Sequence, residues 1–209
     1  MKKSVAMATA LLSVASAVAS SQNHTPASFD GSFDCIRADA GSRNHLLIVN
    51  VDKAIPEADW PIVVNYAASR IPINVWTNSI DKLECGKFPV FPKAVATVFI
   101  VNDKNGPAEL SAAGKWSRVS VAALKEDSPD VQTLRDRYAK MVLRGMARAC
   151  GSGTTIEPIC ALFYGANTLK GLDKTNITIS PMAYFPMVEV LRTLGGDEAV
   201  SKTPPETEE

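Results

Sequence analysis

PDVQTLRDRYAKMVLRGMARACGSG, residues 129–153, carries the strongest helix signal in the chain. Ser128 offers a capping hydroxyl, Pro129 suits the first helical position, and Asp130 puts an acid in the first turn. Free backbone N–H groups and the helix dipole favour all three there. Val131, Leu134, Tyr138, Met141, Val142, Gly145 and Ala149 fall on one face, the periodicity of a helix laid on a core. Gly151 and Gly153 stop it.

Upstream, HLLIVNV (45–51) reads as a buried strand, short, apolar and β-branched. Residues 56–70 read as a helix, with Pro56 near its start and Trp60, Val63, Val64, Ala67 and Ala68 at helical spacing. INVWTN (73–78) is a second strand, so strand, helix and strand form a parallel crossover unit. Gly86, Pro89 and Pro92 break residues 83–93 into a loop. AVATVFIVND (94–103) is a third strand, placed centrally because it is apolar on both faces. Residues 104–114 are a turn-rich connection, and KWSRVSVAAL (115–124) alternates as a fourth strand. After Cys160 the chain is irregular until Ser180-Pro181, or Pro186, opens a last helix that Gly195-Gly196 closes. The pattern predicts an α/β (α+β) fold: a mixed twisted sheet of four to five strands packed on two long helices, with an irregular C-terminal part and a last helix.

The ends read differently. Residues 1–19 have a Lys2-Lys3 start, an apolar run and Ala-x-Ala sites, the build of a cleavable secretory signal. Residues 20–44 form a polar linker, 45–196 a single domain, and 197–209 a disordered acidic tail. No later run is apolar enough to span a membrane. The 22 basic and 22 acidic side chains balance, which argues against nucleic acid as a partner. The protein is therefore expected outside the cytoplasm, in the periplasm or secreted.

Export puts Cys35, Cys85, Cys150 and Cys160 in an oxidising compartment, where an even count points to disulfides. Three pairings are possible; Cys150–Cys160 with Cys35–Cys85 is the most economical. The short ring would add about 3 kcal/mol in the chain-entropy model. A thiolate zinc cluster is the competing reading.

The order of elements, ATVFIVND followed by GKWSRVSVAAL, the long helix, Cys160-Ala161-Leu162, and Leu172-Asp173-Lys174 resembles the metzincin metalloproteases, and within them the archaemetzincins. The resemblance implies a helix carrying His-Glu-x-x-His-x-x-Gly-x-x-His-Cys, then Cys-Val-Met, then a final Cys-x-x-Cys. Two registers fit the helix. With Cys150 as the motif's cysteine, the histidines map to Ala139, Leu143 and Ala149 and the acid to Lys140. With Gly145 before the second histidine, they map to Val142, Met146 and Ser152, and the acid to Leu143. Alkyl groups and one alcohol cannot supply the three ligands of a catalytic zinc. The family's second, structural zinc is left with Cys150 and Cys160, with Ser180 and Ala183 near the places of the last pair; a Cys150–Cys160 disulfide could hold the same loop.

The chain has two histidines, His24 in the flexible lead and His45 at a strand edge, so a Ser-His-Asp triad is excluded on counting. No phosphate-cradling glycine loop is present. Asp103, Glu157 and Asp173 are the carboxylates that could converge in a cleft. Met182 and Met187 stand where a methionine could lie under a metal, and read as packing without one. Arg135, Arg137, Arg144 and Arg148 read as a solvated helix face, or as a basic rim for an acidic glycan. Trp60, Trp76 and Trp116 read as core or as an assembly interface. The resemblance and its missing ligands together point to an exported, non-catalytic metzincin-like protein, with no cofactor, that binds a peptide, glycan or protein or serves structurally at the cell envelope. The rival expectations are a hydrolase or peptidase using unorthodox residues, and an assembly partner.

Overall fold

The computed structural model describes residues 45–71, 73–83, 94–105, 108–112 and 116–195. The stretches read as signal, linker and acidic tail, with His24, Cys35 and Cys85, lie outside the described residues. In chain order the elements are β1 (His45–Val51), α1 (Trp60–Ala68), β2 (Asn74–Ile80), β3 (Ala94–Val101), β4 (Glu109–Ala112), β5 (Trp116–Ser120), α2 (Val131–Ala149), α3 (Leu169–Lys174) and α4 (Pro181–Gly195). Short 3-10 turns lie at Ala122–Lys125 and Tyr164–Asn167.

The five strands form one sheet in the order β2-β1-β3-β5-β4. β2, β1, β3 and β5 are parallel, with Leu47 opposite Trp76 and Thr97, and Thr97 opposite Trp116. β4 closes the edge antiparallel to β5. β3 is central, and every residue in it is buried. Alternation explains how one strand serves two layers. Leu46, Ile48, Val98, Ile100 and Val119 face the main core with α1 and α2. Leu47, Val49, Phe99 and Trp116 face a smaller cluster that includes Trp76. Trp116 is buried in that smaller cluster, whereas Trp76 and Trp60 are half-buried, packed against the smaller and the main cluster respectively.

Several boundaries differ from the sequence expectation, each for a local reason. Pro56 does not open α1. Its carbonyl accepts from Asp59 N and Trp60 N in a turn, and Pro61 occupies the first turn of a helix only nine residues long. Ser128 does not cap α2: it has φ 51, and Asp130 is the cap, accepting from Thr133 N at 2.9 Å. Val131 is 63% exposed. The helix is buried on all sides from Arg137 to Ala147, so it is a central element rather than one with a single apolar face. Residues 109–112, read as connection, form β4. The strand read over 115–124 ends at Ser120 and gives way to a 3-10 turn. α4 opens at Pro181 and carries Pro186 inside it.

α2 lies close under the sheet. A Cβ at Gly145 would meet Val119 Cγ2 at 2.7 Å and Val98 Cγ1 at 2.8 Å. Ser117 Oγ donates to Gly145 O at 2.7 Å across the same contact. Among the described residues no helix is long and apolar enough to cross a membrane.

Candidate functional site

The polar groups of α2 are largely buried, and their partners come from distant segments. Arg137 uses all five of its N–H donors. Nε and Nη2 donate to Asp173 at 2.8 and 2.7 Å, Nη1 and Nη2 to Asp127 at 2.6 and 2.8 Å, and Nη1 to Leu124 O at 2.8 Å. These bonds hold the Asp127 and Asp173 carboxyls below their usual range and fix the guanidinium in its charged form.

Two turns on, Arg144 is 1% exposed. Its Nε donates to Glu109 of β4, Nη1 to Ala161 O at 2.7 Å and Nη2 to Asn167 Oδ1 at 3.1 Å. Arg148 approaches the same Glu109 at 3.5 Å and donates to Ser152 O at 3.0 Å. Arg135 pairs with Asp59 at the start of α1 at 2.7 Å. Arg137 and Arg144 are therefore buried rather than on a solvated face, and all four arginines are engaged in holding segments of the chain together.

The residues in the two sequence registers are core. Val142, Leu143 and Met146 are fully buried, as are Ala139 and Ala149. Ser152 Oγ donates to Ala183 O at 3.0 Å. Cys150 and Cys160 are buried and present as free thiols. Burial pushes the Cys150 thiol up to about 12, which disfavours the thiolate a metal needs. Cys160 Sγ accepts from Leu162 N at 3.4 Å and Ser180 N at 3.3 Å. Among the described residues no group of three or more His, Cys, Asp or Glu could hold a metal ion. The described residues do not fit a zinc site.

Glu157 and Asp173 line one cleft of about 670 Å³ between α1, α2 and residues 175–181. Asp103 lies elsewhere, paired with Arg118 of β5. Asp173 is already committed to Arg137. The same cleft contains Lys140, whose Nζ donates to Leu172 O at 3.0 Å. Loss of hydration lowers the Lys140 pKa, and Asp136 and Asp173 oppose that shift. A smaller hollow of about 310 Å³ sits beside β4, with Glu109, Met141, Asn167 and Leu169 in its wall. His45 is buried and stacked on Trp76 at 3.6 Å, not at a solvent-facing edge. Met187 is core, as expected of packing, whereas Met182 is 63% exposed.

Sequence reasoning missed Glu109, Lys140 as a cleft residue, Arg70 and Ser180's hydroxyl. Ser-Pro ahead of a helix was the available signal for Ser180, but it read only as the opening of the last helix.

No family model matches the chain, and no curated protein matches it in sequence. Solved structures do. The archaemetzincin of Methanopyrus kandleri is similar with TM-score 0.54 at 14% identity, over 73% of this chain and 98% of that one. The archaemetzincin of Archaeoglobus fulgidus, complexed with malonate, gives 0.52 at 13%, over 68% and 99%. A zinc-dependent peptidase of Methanocorpusculum labreanum gives 0.50 at 12%, over 68% and 99%. At these identities the likeness is one of fold: the sheet and helices are archaemetzincin-like.

Proposed function

We propose that this chain keeps an archaemetzincin-like fold without zinc chemistry, and works by binding, exported to the cell envelope. The observation that carries the reading is the buried Arg144 guanidinium and its partners.

In His-Glu-x-x-His-x-x-Gly-x-x-His the first two histidines share a helix face. The third, ten residues after the first, is out of phase with them at about 100° per residue. The chain must leave the helix at the glycine, and a positive φ is how glycine does that. The residue meeting this condition at the end of α2 is Gly151, φ 85. Both registers considered from sequence put the glycine at Met146 or Ala149, inside α2. With Gly151 as the pivot, the ligand positions become Arg144, Arg148 and Thr154, and the acid becomes Gly145. A guanidinium carries the charge of a cation but only donates hydrogen bonds, so it cannot ligate one. Gly145 offers no room for a carboxylate, because even a Cβ there meets two valines below 3.0 Å. On this reading a fixed cation, held by Glu109, Ala161 O and Asn167, stands where a metal would.

The carboxylate-hydrolase alternative loses its members: Asp103 is remote, and Asp173 is locked ionised by Arg137. An assembly role is favoured by one observation, the exposure of Ile156, Ile159, Met182 and Phe185 at 60–73%.

The test is zinc loading of the mature protein, followed by gel filtration and metal analysis. The expected result is no stoichiometric zinc, no change in melting temperature with chelator, and no chelator-sensitive cleavage of casein. One retained zinc per chain with chelator-sensitive cleavage overturns the proposal.

A further inference from the structure

We propose that the cleft between α1, α2 and residues 175–181 binds a small zwitterion with an apolar side chain, a free amino acid or short peptide, its carboxylate on Lys140 and Ser180 and its ammonium towards Glu157 and Asp136. The inference rests on the binding role proposed above but not on the loss of zinc.

The volume, about 670 Å³, lies inside the range of roughly 300–1,000 Å³ usual for small-molecule sites. The donors are what single it out. Lys140 is 7% exposed, and its ammonium spends one of three N–H bonds, on Leu172 O. Ser180 is 5% exposed and its Oγ has no partner. Its backbone carbonyl, not its hydroxyl, meets the first turn of α4, accepting from Ala183 N and Tyr184 N. The hydroxyl therefore does not cap the helix. Arg70, which also lines the cleft, lies with its guanidinium over the Tyr66 ring at 5.3 Å, and its buried Nε has no hydrogen-bond partner. Buried donors are almost always paired in folded proteins, so two unpaired donors and an ammonium with one bond made, all in one cleft, call for an acceptor from outside.

The sign balance selects the ligand class. Asp136, Glu157 and Asp173 line the same cleft; Asp173 is neutralised by Arg137, whereas Asp136, which accepts from the neutral Gln132 amide at 2.9 Å, keeps its charge uncompensated beside Glu157. A purely anionic ligand would meet these acids, and a purely cationic one would meet Lys140 and Arg70. A zwitterion satisfies both. Ile159, Ile177 and Ile179 supply the apolar lining.

The test is calorimetric titration of the mature protein with L-leucine, L-leucyl-L-leucine, N-acetyl-L-leucine and L-leucinamide. Leucine or leucyl-leucine should bind saturably, and whichever binds tighter identifies the source as amino acid or peptide. The acetylated and amidated forms should bind more weakly by about tenfold or more, the loss expected from one charge-assisted hydrogen bond. Lys140→Met and Ser180→Ala should each weaken leucine binding similarly while leaving circular dichroism and urea midpoint near wild type. Glu157→Gln should weaken leucine and leave N-acetyl-leucine unchanged. If Lys140→Met does not fold, Ser180→Ala and Glu157→Gln carry the test. Leucinamide binding as tightly as leucine, unchanged affinity in a folded variant, or no saturable heat from any compound overturns the assignment. Retained zinc in the metal analysis would leave these outcomes as they stand.

Discussion

Replacing Arg137 by methionine keeps the length of the side chain and removes all five donors. The side chain is 3% exposed, and its partners come from both ends of the helix region: Leu124 O, Asp127 and Asp173. Breaking a buried ion pair from one side costs about 3–5 kcal/mol. The low end applies here, because Asp127 and Asp173 keep 53% and 38% side-chain exposure and can recover water. Leu124 O has no such recourse. The expected loss is about 3 kcal/mol, and at about 2–4 °C per kcal/mol for a domain of this size the melting temperature falls by about 6–12 °C. Arg137→Lys should fall between, since it keeps the charge but not the planar fork. Urea unfolding at neutral pH, read by circular dichroism, measures both. The acid limb is a second readout. The hydrogen bonds from Arg137 depress both carboxyls in the folded state. Their contribution is fully present above the unfolded carboxylate value, about 4, and is lost as pH falls through the lower folded values. Arg137→Met should flatten that limb. A loss under about 1 kcal/mol, or an acid limb of unchanged slope, would refute the reasoning.

Two further predictions separate the helix start and the helix–sheet contact. Asp130→Ala should cost about 1 kcal/mol through the lost cap, whereas Ser128→Gly should be neutral or stabilising by a few tenths of a kcal/mol, because Ser128 sits at φ 51; urea midpoints in the reverse order would restore Ser128 as the cap. Gly145→Ala should lose about 1 kcal/mol, since overpacking against Val119 and Val98 costs about 1–3 kcal/mol and alanine's helix preference returns about 1; a variant more stable than wild type in urea would show that the sheet yields.

The parts of the fold legible in the sequence are those where local chemistry and final environment agree. Residues 45–51 and 94–101 are apolar throughout because both faces of β1 and β3 are covered. β4 was not legible: Glu-Leu-Ser-Ala has no β-branched residue, and only its pairing with β5 makes it a strand. Pro56 and Pro61 both suit a helix start, and nothing local says that Asp59, held by Arg135 from α2, lies at the boundary. The arginines show the limit most clearly. Their spacing put Arg137, Arg144 and Arg148 on one face, but Asp173 is 36 positions from Arg137 and Glu109 is 35 from Arg144. Spacing locates a face; it does not name the partner that decides whether the face is wet or dry.

That distinction divides α2 into two kinds of polar residue. Arg137 has every donor paired within the chain, and Arg144 meets Glu109, Ala161 O and Asn167. Folding alone accounts for them, because each buried charge is matched. Lys140 sits between them on the same helix, buried to a similar degree, yet meets a single carbonyl. Ser180 and Arg70 share its cleft and its shortfall. Stability does not favour a buried donor left unmatched, since a methionine or an alanine would avoid the desolvation cost. The paired side of α2 is therefore the scaffold, and the underpaired side is where a ligand has something to offer.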